Sequence, residues 1–232
     1  MISVSEARLK IIENMPLMAP EQVPLTLGLG RVLATDVSAK RTQPPNAVSA
    51  MDGYAVRSQD VSKLPAKLTV LGDVPAGQAF EGTVEKGQAV RIFTGAALPN
   101  GADTIVIQEN TIRQDKEVTV VDGDAPSGRY VRPAGLDFSI GDTLLKAGKV
   151  LNARDIGLAA SMNVPWLSVR QKPRIAILAT GDEIVMPGDA VGANQIVSSN
   201  GLALASFITA LGGFPIDLGI APDSEDTLQI MA

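Results

Sequence analysis

Cysteine and histidine are both missing from this chain of 232 residues. Without them there can be no disulfide, no thiolate nucleophile, no imidazole base and no metal site built from Cys or His ligands. Any catalysis must therefore use carboxylates, hydroxyls, amines, guanidinium groups and backbone dipoles. These groups suit hard cations such as Mg²⁺, which prefer oxygen ligands, and oxyanions held by Lys, Arg and N–H groups. They do not suit zinc or redox chemistry.

Long basic runs and long apolar runs are also missing. The net charge is −5, so neither nucleic acid nor an anionic membrane is expected as a main partner. No apolar run is long enough to cross a bilayer, and the opening residues MISVSEARLK lack the order of charged and apolar residues that a signal peptide has. We expect a soluble cytoplasmic protein, which agrees with the lack of cysteine.

The patterns along the chain predict a multidomain fold of mixed α+β and α/β class. Ser3 and Glu6 fit a capping box, and apolar residues at helical spacing predict a helix over residues 3–15. From about residue 46 to residue 130, short β-type runs alternate with turns, which predicts a β-rich module. Beyond that module, Asn152 is placed to cap another helix.

A third pattern begins after residue 172. RIAILAT (Arg174–Thr180) is a nearly continuous apolar run, typical of a strand buried on both faces of a parallel sheet. Ser199 can cap a helix that follows, and FPIDLGI (Phe214–Ile220) is predicted as a second strand, which gives a βαβ unit. A doubly wound sheet usually needs about five or six strands, and only two are clear here. We therefore expect this chain to be part of a longer protein.

These patterns predict three domains. Residues 1–45 and 131–172 form a discontinuous linker domain of helices and strands. Residues 46–130 form a β-rich domain inserted into it, and residues 173–232 begin an incomplete doubly wound α/β domain.

Polar residues follow the first strand of the α/β unit, at the edge where open α/β sheets bind ligands. They are Thr180, Gly181, Asp182 and Glu183. One interpretation is a Mg²⁺ or oxyanion site, with Gly181 permitting close backbone approach and the carboxylates offering oxygen ligands. The other interpretation is an ordinary acidic loop after a strand.

Asp223 follows the second strand and is placed either to reach the same edge or to cap a helix. Ser198, Ser199 and Asn200 are either helix caps or anion-binding groups at a helix start. In the β-rich module, Asp52 and Thr94 each precede a glycine. Each is a candidate ligand for a metal or an oxyanion, and each is also typical of turn chemistry.

Five segments, taken in order, resemble one family. They are SAMDGYAV after a double proline, RIFTGAALPNGADTIVIQE, VRPAGLDF, PRIAILATGDEI, and the run from QIVSSNGLAL to LGIAPD. Their order and spacing are similar to those of the MoeA family, the molybdopterin molybdenumtransferases that include the gephyrin E domain. The resemblance extends over nearly the whole chain.

The resemblance implies an enzyme of molybdenum cofactor biosynthesis that inserts molybdate into adenylylated molybdopterin, with Mg²⁺ and release of AMP. It also implies a homodimer held through the linker domain, and a Mog-type adenylyltransferase as a further partner. Residues 173–232 would begin a MoaB/Mog-like molybdopterin-binding domain.

The same resemblance implies roles for single residues. Asp52 and Thr94 of one chain would act catalytically with Glu183 and Asp223 of the partner subunit. Asp52 and Glu183 would position Mg²⁺ or molybdate. The implied molybdopterin-binding residues are Thr180, Gly181, Asp182, Ser198, Ser199 and Asn200.

Two departures from the family pattern leave another function open. Asn46–Val48 stands where family members commonly carry an acidic residue, and Ser198 stands where they often have Asp. The alternative is a non-catalytic scaffold or molybdopterin-binding module that keeps the fold without turnover. A third alternative is a different molybdopterin-type or nucleotide-binding protein that shares only the α/β unit. The motif SAMDGYAV argues against it, because this motif lies outside that unit. We also expect the chain by itself to be inactive, because the family's glycine-rich segment and C-terminal β domain are not found in these residues.

Overall fold

The structure is a computed structural model, and it describes residues 2–224 and 229–230. In chain order, its helices and strands are α1 (Val4–Asn14), β1 (Pro20–Pro24), β2 (Val37–Ser38), β3 (Val48–Ser49), β4 (Gly53–Val56), β5 (Ala66–Val74), β6 (Gln88–Ile92), β7 (Thr104–Ile107), β8 (Thr111–Gln114), β9 (Glu117–Val120), β10 (Val131–Arg132), β11 (Thr143–Leu145), α2 (Ala153–Ser161), β12 (Trp166–Arg170), β13 (Arg174–Thr180), β14 (Ile184–Val185), β15 (Ile196–Val197), α3 (Asn200–Ala210) and β16 (Phe214–Ala221).

The capping box predicted for the first helix is confirmed. The N–H of Glu6 donates to the Ser3 hydroxyl at 3.2 Å, and the N–H of Ser3 donates to the Glu6 carboxylate at 2.8 Å. These reciprocal bonds satisfy donors that a helix start otherwise leaves free. α1 buries none of its residues, and apolar side chains such as Val4 and Ile11 are exposed.

The β-rich part centres on a six-stranded sheet with the strand order β7-β4-β6-β5-β9-β8. Neighbouring strands are antiparallel, except that β5 and β6 are parallel. β4 is buried along its whole length. Because successive side chains of a strand face opposite sides, Tyr54 and Val56 pack in one apolar cluster and Ala55 packs in another. The central strands are therefore covered on both faces.

The βαβ unit has the predicted order, since β13 and β16 pair in parallel and α3 lies between them in the chain. The expectation that β13 is buried on both faces is wrong, because Ile177 is its only buried residue. Within the described part of the chain, β13 has β16 as its one strand neighbour, so most of the strand's apolar side chains remain accessible to solvent.

Residue contacts divide the chain into two compact units. One combines the segment up to Val37 with Leu145–Gly157 and the segment that starts at Pro165, and the other combines Ser38–Leu144 with Leu158–Val164. The boundaries of the three domains stay predictions. Among the described helices, none has the length and apolar character needed to span a bilayer.

Side chains at the start of α2 cap the N-terminal end of the helix. The Asn152 side-chain oxygen accepts the N–H of Arg154 at 2.9 Å and the N–H of Asp155 at 3.1 Å. Asp155 accepts the N–H of Asn152 at 3.0 Å and pairs with Lys149 at 2.7 Å. The hydrogen bond from the Asn152 N–H has the largest effect on the pKa of Asp155, which it lowers below its usual range, and Lys149 lowers this pKa further. The predicted cap at Asn152 is thereby confirmed.

We expect Asp155→Asn to lower the free energy of unfolding at pH 7 by about 1–2 kcal/mol, because a charged cap acceptor is lost. The pKa of Asp155 is lowered in the folded state, so its contribution is present above the unfolded pKa of about 3.9 and is lost as pH falls through the folded pKa. Urea unfolding of both proteins, followed from about pH 2 to about pH 7, should show that their free energies of unfolding become equal at the acidic end.

Lys149→Met is the matched control for this prediction, because it removes the ion pair and leaves the cap bonds in place. Lys149 is 44% exposed, so its loss should cost less than about 1 kcal/mol. An Asp155→Asn effect no larger than that of Lys149→Met would contradict the cap explanation.

Candidate functional site

Asp52 lies at the start of β4 and is held by Thr94, which follows β6. Asp52 Oδ1 accepts both the backbone N–H and the hydroxyl of Thr94, each at 2.8 Å. The main chain of Asp52 is also fixed, because its carbonyl accepts the N–H of Gln108 at 3.1 Å. The structure thus brings together two residues that the sequence placed 42 positions apart. No described residue donates a hydrogen bond to the second carboxylate oxygen, Oδ2.

The turn that leads into Asp52 is closed by Ser49, which is fully buried. The Ser49 hydroxyl donates to the carbonyl of Met51 at 2.5 Å and accepts the Met51 N–H at 3.3 Å. On the other side of Ser49, its backbone N–H and carbonyl bond to Ala96 and Gly95. Asp52 is therefore presented by a short turn tied to the loop that carries Thr94.

Gly53 follows Asp52 for a steric reason. A Cβ at Gly53 would lie 2.0 Å from the carbonyl oxygen of Val106, which is backbone and cannot rotate away. Gly53 pairs with Ile107 on β7 and with Ile92 on β6. Glycine thus permits the close pairing that holds Asp52 at the edge of the central strands.

The carboxyl of Asp52 is ionised at neutral pH. The Thr94 backbone N–H, then its hydroxyl, and then the positive charge of Arg91 lower the pKa of Asp52 below its usual range, against the opposing effect of burial. Hydrogen bonds to the charged form and a nearby cation both favour that form. Asp52 thus offers a fixed negative oxygen to a cation or a proton donor.

A cavity of about 370 Å³ adjoins the loop after Thr94. Its lining combines backbone and small side chains with two charged residues, Arg132 and Asp137, and includes Gly95 and Asn46. Sequence reasoning did not select Arg132 or Asp137 as site residues. The available signal was their place in VRPAGLDF, one of the five segments that carry the family resemblance.

A second cavity, of about 280 Å³, lies where β13 ends and α3 begins. It brings together four of the six residues predicted to bind molybdopterin. They are Thr180, Ser198, Ser199 and Asn200. Apolar side chains of Ile177, Ile184, Ile196 and Leu204 form other parts of the lining.

Ser199 occupies the N-cap position of α3, as the sequence predicts, but its side chain makes no capping hydrogen bond. The first residues of the helix, Asn200 and Gly201, line the cavity together with Ser199. The start of a helix favours negative groups because of these N–H groups and the helix dipole.

The remaining predicted residues of this unit, Gly181, Asp182, Glu183 and Asp223, do not line the cavity. Gly181 has a φ of +141°, and a Cβ there would lie 2.8 Å from a carboxylate oxygen of Glu183. Asp182 accepts the N–H of Asp223 at 3.3 Å, which joins the loops after β13 and β16. The structure therefore brings Asp182 together with Asp223 as a connection between two strand ends.

The described residues contain no cluster of three or more acidic side chains that would hold a metal by themselves. Mg²⁺ commonly keeps several waters and binds through one or two carboxylates together with substrate phosphates. Asp52 fits this kind of site because Oδ1 is fixed by Thr94 and Oδ2 accepts no bond from the described residues. The role of Glu183 as a metal ligand stays a prediction.

The geometry defines a mixed α/β protein with two candidate sites, one on a six-stranded sheet and one on a βαβ unit. The family model for the MoeA N-terminal region (domain I and II) matches residues 2–163. The chain belongs to the MoeA family.

Named relatives support this assignment. The chain is 40% identical over 212 residues to a molybdopterin molybdenumtransferase of Nostoc sp., an alignment that covers 90% of this chain and 48% of the relative. It is 36% identical over 227 residues to molybdopterin molybdenumtransferase 2 of Mycobacterium tuberculosis, covering 96% of this chain and 56% of the relative. The chain thus spans about half the length of these relatives.

A solved structure has a similar fold. The molybdopterin biosynthesis MoeA protein from Pyrococcus horikoshii superposes with a TM-score of 0.92 at 28% identity, and the match covers all of this chain and 62% of that chain. The predicted mixed α/β class is confirmed by this similarity, and the detailed domain description stays a prediction.

Proposed function

We propose that this protein acts in molybdenum cofactor biosynthesis, in the cytoplasm, by inserting molybdate into adenylylated molybdopterin with release of AMP. The observation that carries the proposal is the Asp52 carboxylate, which Thr94 fixes through two hydrogen bonds while Oδ2 stays open. Such an oxygen is suited to hold a cation beside an anionic substrate. The relatives are named molybdopterin molybdenumtransferases, which supports a role in molybdenum cofactor biosynthesis.

The second cavity is suited to the other half of the substrate. Ser198, Ser199 and the N-terminus of α3 offer hydroxyl and N–H donors to a phosphate. The apolar side chains of Ile177, Ile196 and Leu204 offer a surface for a flat ring system. The cavity can therefore orient a molecule with one anionic end and one weakly polar end.

Positioning and electrostatics are the main catalytic contributions in this proposal. Bound Mg²⁺ would neutralise charge shared by molybdate and the substrate phosphates, and Asp52 and Glu183 are the residues proposed to hold it. Thr94 keeps Asp52 ionised and oriented, and Asp223 is proposed to act beside Glu183. No covalent intermediate with the protein is required.

We further propose a homodimer in which Asp52 and Thr94 of one chain act with Glu183 and Asp223 of the partner subunit. A Mog-type adenylyltransferase is the proposed source of the adenylylated substrate. A net charge of −5 does not favour a nucleic acid as a partner.

One observation favours the second candidate, a molybdopterin-binding module without turnover. Ser198 lines the second cavity, and this is the position where the MoeA family often has an aspartate. A serine there removes a carboxylate from the site while leaving a hydroxyl that can still bind the substrate.

AMP release from adenylylated molybdopterin, dependent on molybdate and Mg²⁺, tests the proposal. The chain should be assayed beside a full-length MoeA relative as the positive control, with substrate binding measured separately. AMP release by the chain, or by a longer product of its gene, would establish the transferase. Binding of the substrate without AMP release by either would support the non-catalytic module instead.

A further inference from the structure

Arg91, on β6 beside Asp52, has a more constrained environment than an ordinary half-buried arginine. Its guanidinium carbon lies 4.6 Å from the ring centre of Phe93 and 5.3 Å from that of Tyr54. Arginine stacks on aromatic faces through its planar, weakly hydrated guanidinium group. The two rings therefore restrict the plane in which this group can lie.

Hydrogen bonds fix the same group at its edge. Arg91 Nη1 donates to the carbonyl of Gly53 at 2.8 Å, and Nη2 donates to the side-chain oxygen of Gln108 at 2.5 Å. Gln108 in turn donates its backbone N–H to the carbonyl of Asp52. Arg91 thus connects the residue after Asp52 with the residue that binds the Asp52 main chain.

We propose that Arg91 is a positioning residue for Asp52, which fixes the Asp52 main chain through its hydrogen bonds to Gly53 and Gln108. The inference rests on the proposed role of Asp52 as a cation ligand. Lysine cannot replace Arg91, because an ammonium group has neither the planar face that stacks between two rings nor the fork that reaches two separate acceptors.

The other charged groups near this region have partners of their own. Glu109, in the turn after β7, accepts a bond from the Gln108 amide at 3.3 Å. On the strands beyond β6, Asp73 pairs with Arg113 at 3.1 Å. The Arg91 charge also favours the ionised form of Asp52 and so lowers its pKa, after the larger effect of the Thr94 hydrogen bonds.

The test is backbone amide hydrogen exchange of Gln108, whose N–H binds the Asp52 carbonyl, measured by NMR in the whole chain. In Arg91→Met we expect this exchange to become about 10-fold faster or more, because the bond from the guanidinium to the Gln108 side chain is lost. In Arg91→Lys we expect a similar increase, because an ammonium group lacks the fork that reaches both acceptors. In a longer product of the gene, AMP release should fall about 10–100-fold in both variants, a loss typical of residues that orient a ligand.

Unchanged exchange of the Gln108 N–H in Arg91→Met would overturn the proposal, and so would full AMP release by Arg91→Lys in the longer gene product. If Arg91→Met does not fold, Gln108→Leu breaks the side-chain bond and keeps the backbone N–H that binds Asp52. That variant should speed exchange of the Gln108 N–H, and unaltered exchange would count against the proposal. Amide exchange can be read without transferase activity, so it decides the role of Arg91 even if the proposed reaction fails.

Discussion

Gly53→Ala is expected to destabilise the protein by at least about 3 kcal/mol, at the upper end of what overpacking costs. A Cβ at Gly53 would lie 2.0 Å from the Val106 carbonyl oxygen and 3.0 Å from the Ile107 Cα. Both neighbours are backbone atoms of β7, so relief requires β4 and β7 to separate in the six-stranded sheet. Thermal and urea unfolding, followed by circular dichroism, would measure the loss.

Gly157→Ala is the matched control, since it is the same substitution in α2. Gly157 is exposed, and an added Cβ would meet nothing within 4 Å. Alanine has a higher helix propensity than glycine, so this variant should gain roughly 0.5–1 kcal/mol. Similar stability in Gly53→Ala and the natural protein would show that β4 and β7 can adapt, and would refute the steric account of Gly53.

Asp52→Asn is expected to reduce AMP release by about 100-fold or more, the size of effect seen when a preorganised charge or dipole is removed from an active site. The asparagine side-chain oxygen can still accept the N–H and hydroxyl of Thr94, so the substitution removes charge and largely preserves geometry. Unfolding measurements should show a smaller change, because asparagine keeps both Thr94 bonds and loses only the strength that the charge adds to them. Steady-state AMP release at saturating Mg²⁺ would measure the effect, in a longer product of the gene because the chain by itself is expected to be inactive.

The pH dependence of AMP release is a second test of the role of Asp52. Since Thr94 and Arg91 lower the pKa of Asp52, its ionised form persists below the usual carboxyl range. Activity that requires this form should therefore be lost as pH falls through the lowered pKa, and Thr94→Val should move that loss to higher pH. At about pH 7, we expect the natural protein to be the most active, Thr94→Val to be less active and Asp52→Asn to be the least active.

Asp115→Asn controls for the loss of one carboxylate from the same unit. Asp115 is exposed in the turn between β8 and β9 and has a φ of 51°, a conformation that asparagine also tolerates. We expect its AMP release to equal that of the natural protein. Equal activity in Asp52→Asn and Asp115→Asn would remove Asp52 from the proposed mechanism.

Local sequence signals predicted the elements that depend on neighbouring residues. The capping box of Ser3 and Glu6 and the cap at Asn152 were predictable, because both use residues within three positions of each other. The order of β13, α3 and β16 followed from apolar patterns. The low burial of β13 was not predictable, because an apolar run does not show how many strands or helices will cover it.

The candidate sites were predictable as residue types and only partly as arrangements. The motifs selected Asp52 and Thr94, and the structure joins them by hydrogen bonds. The same motifs also contained Arg91, Arg132 and Asp137, but nothing in the local pattern distinguished these residues from ordinary surface charges. In the structure, Arg91 differs from them because it contacts the rings of Tyr54 and Phe93 and the carbonyl of Gly53. Tyr54 and Gly53 lie on β4, so these contacts depend on the pairing of two strands.

The sequence by itself determined which chemistry is open to this protein. Without cysteine or histidine, only oxygen ligands, hydroxyls, cationic side chains and backbone groups remain, and the ordered motifs identify the family. The tertiary structure alone decided which of these groups meet. Asp52 is fixed by Thr94, and Asp182 by the N–H of Asp223, because strand pairing brings distant segments to within hydrogen-bond distance. Such contacts depend on register and backbone path, and a linear pattern does not contain them.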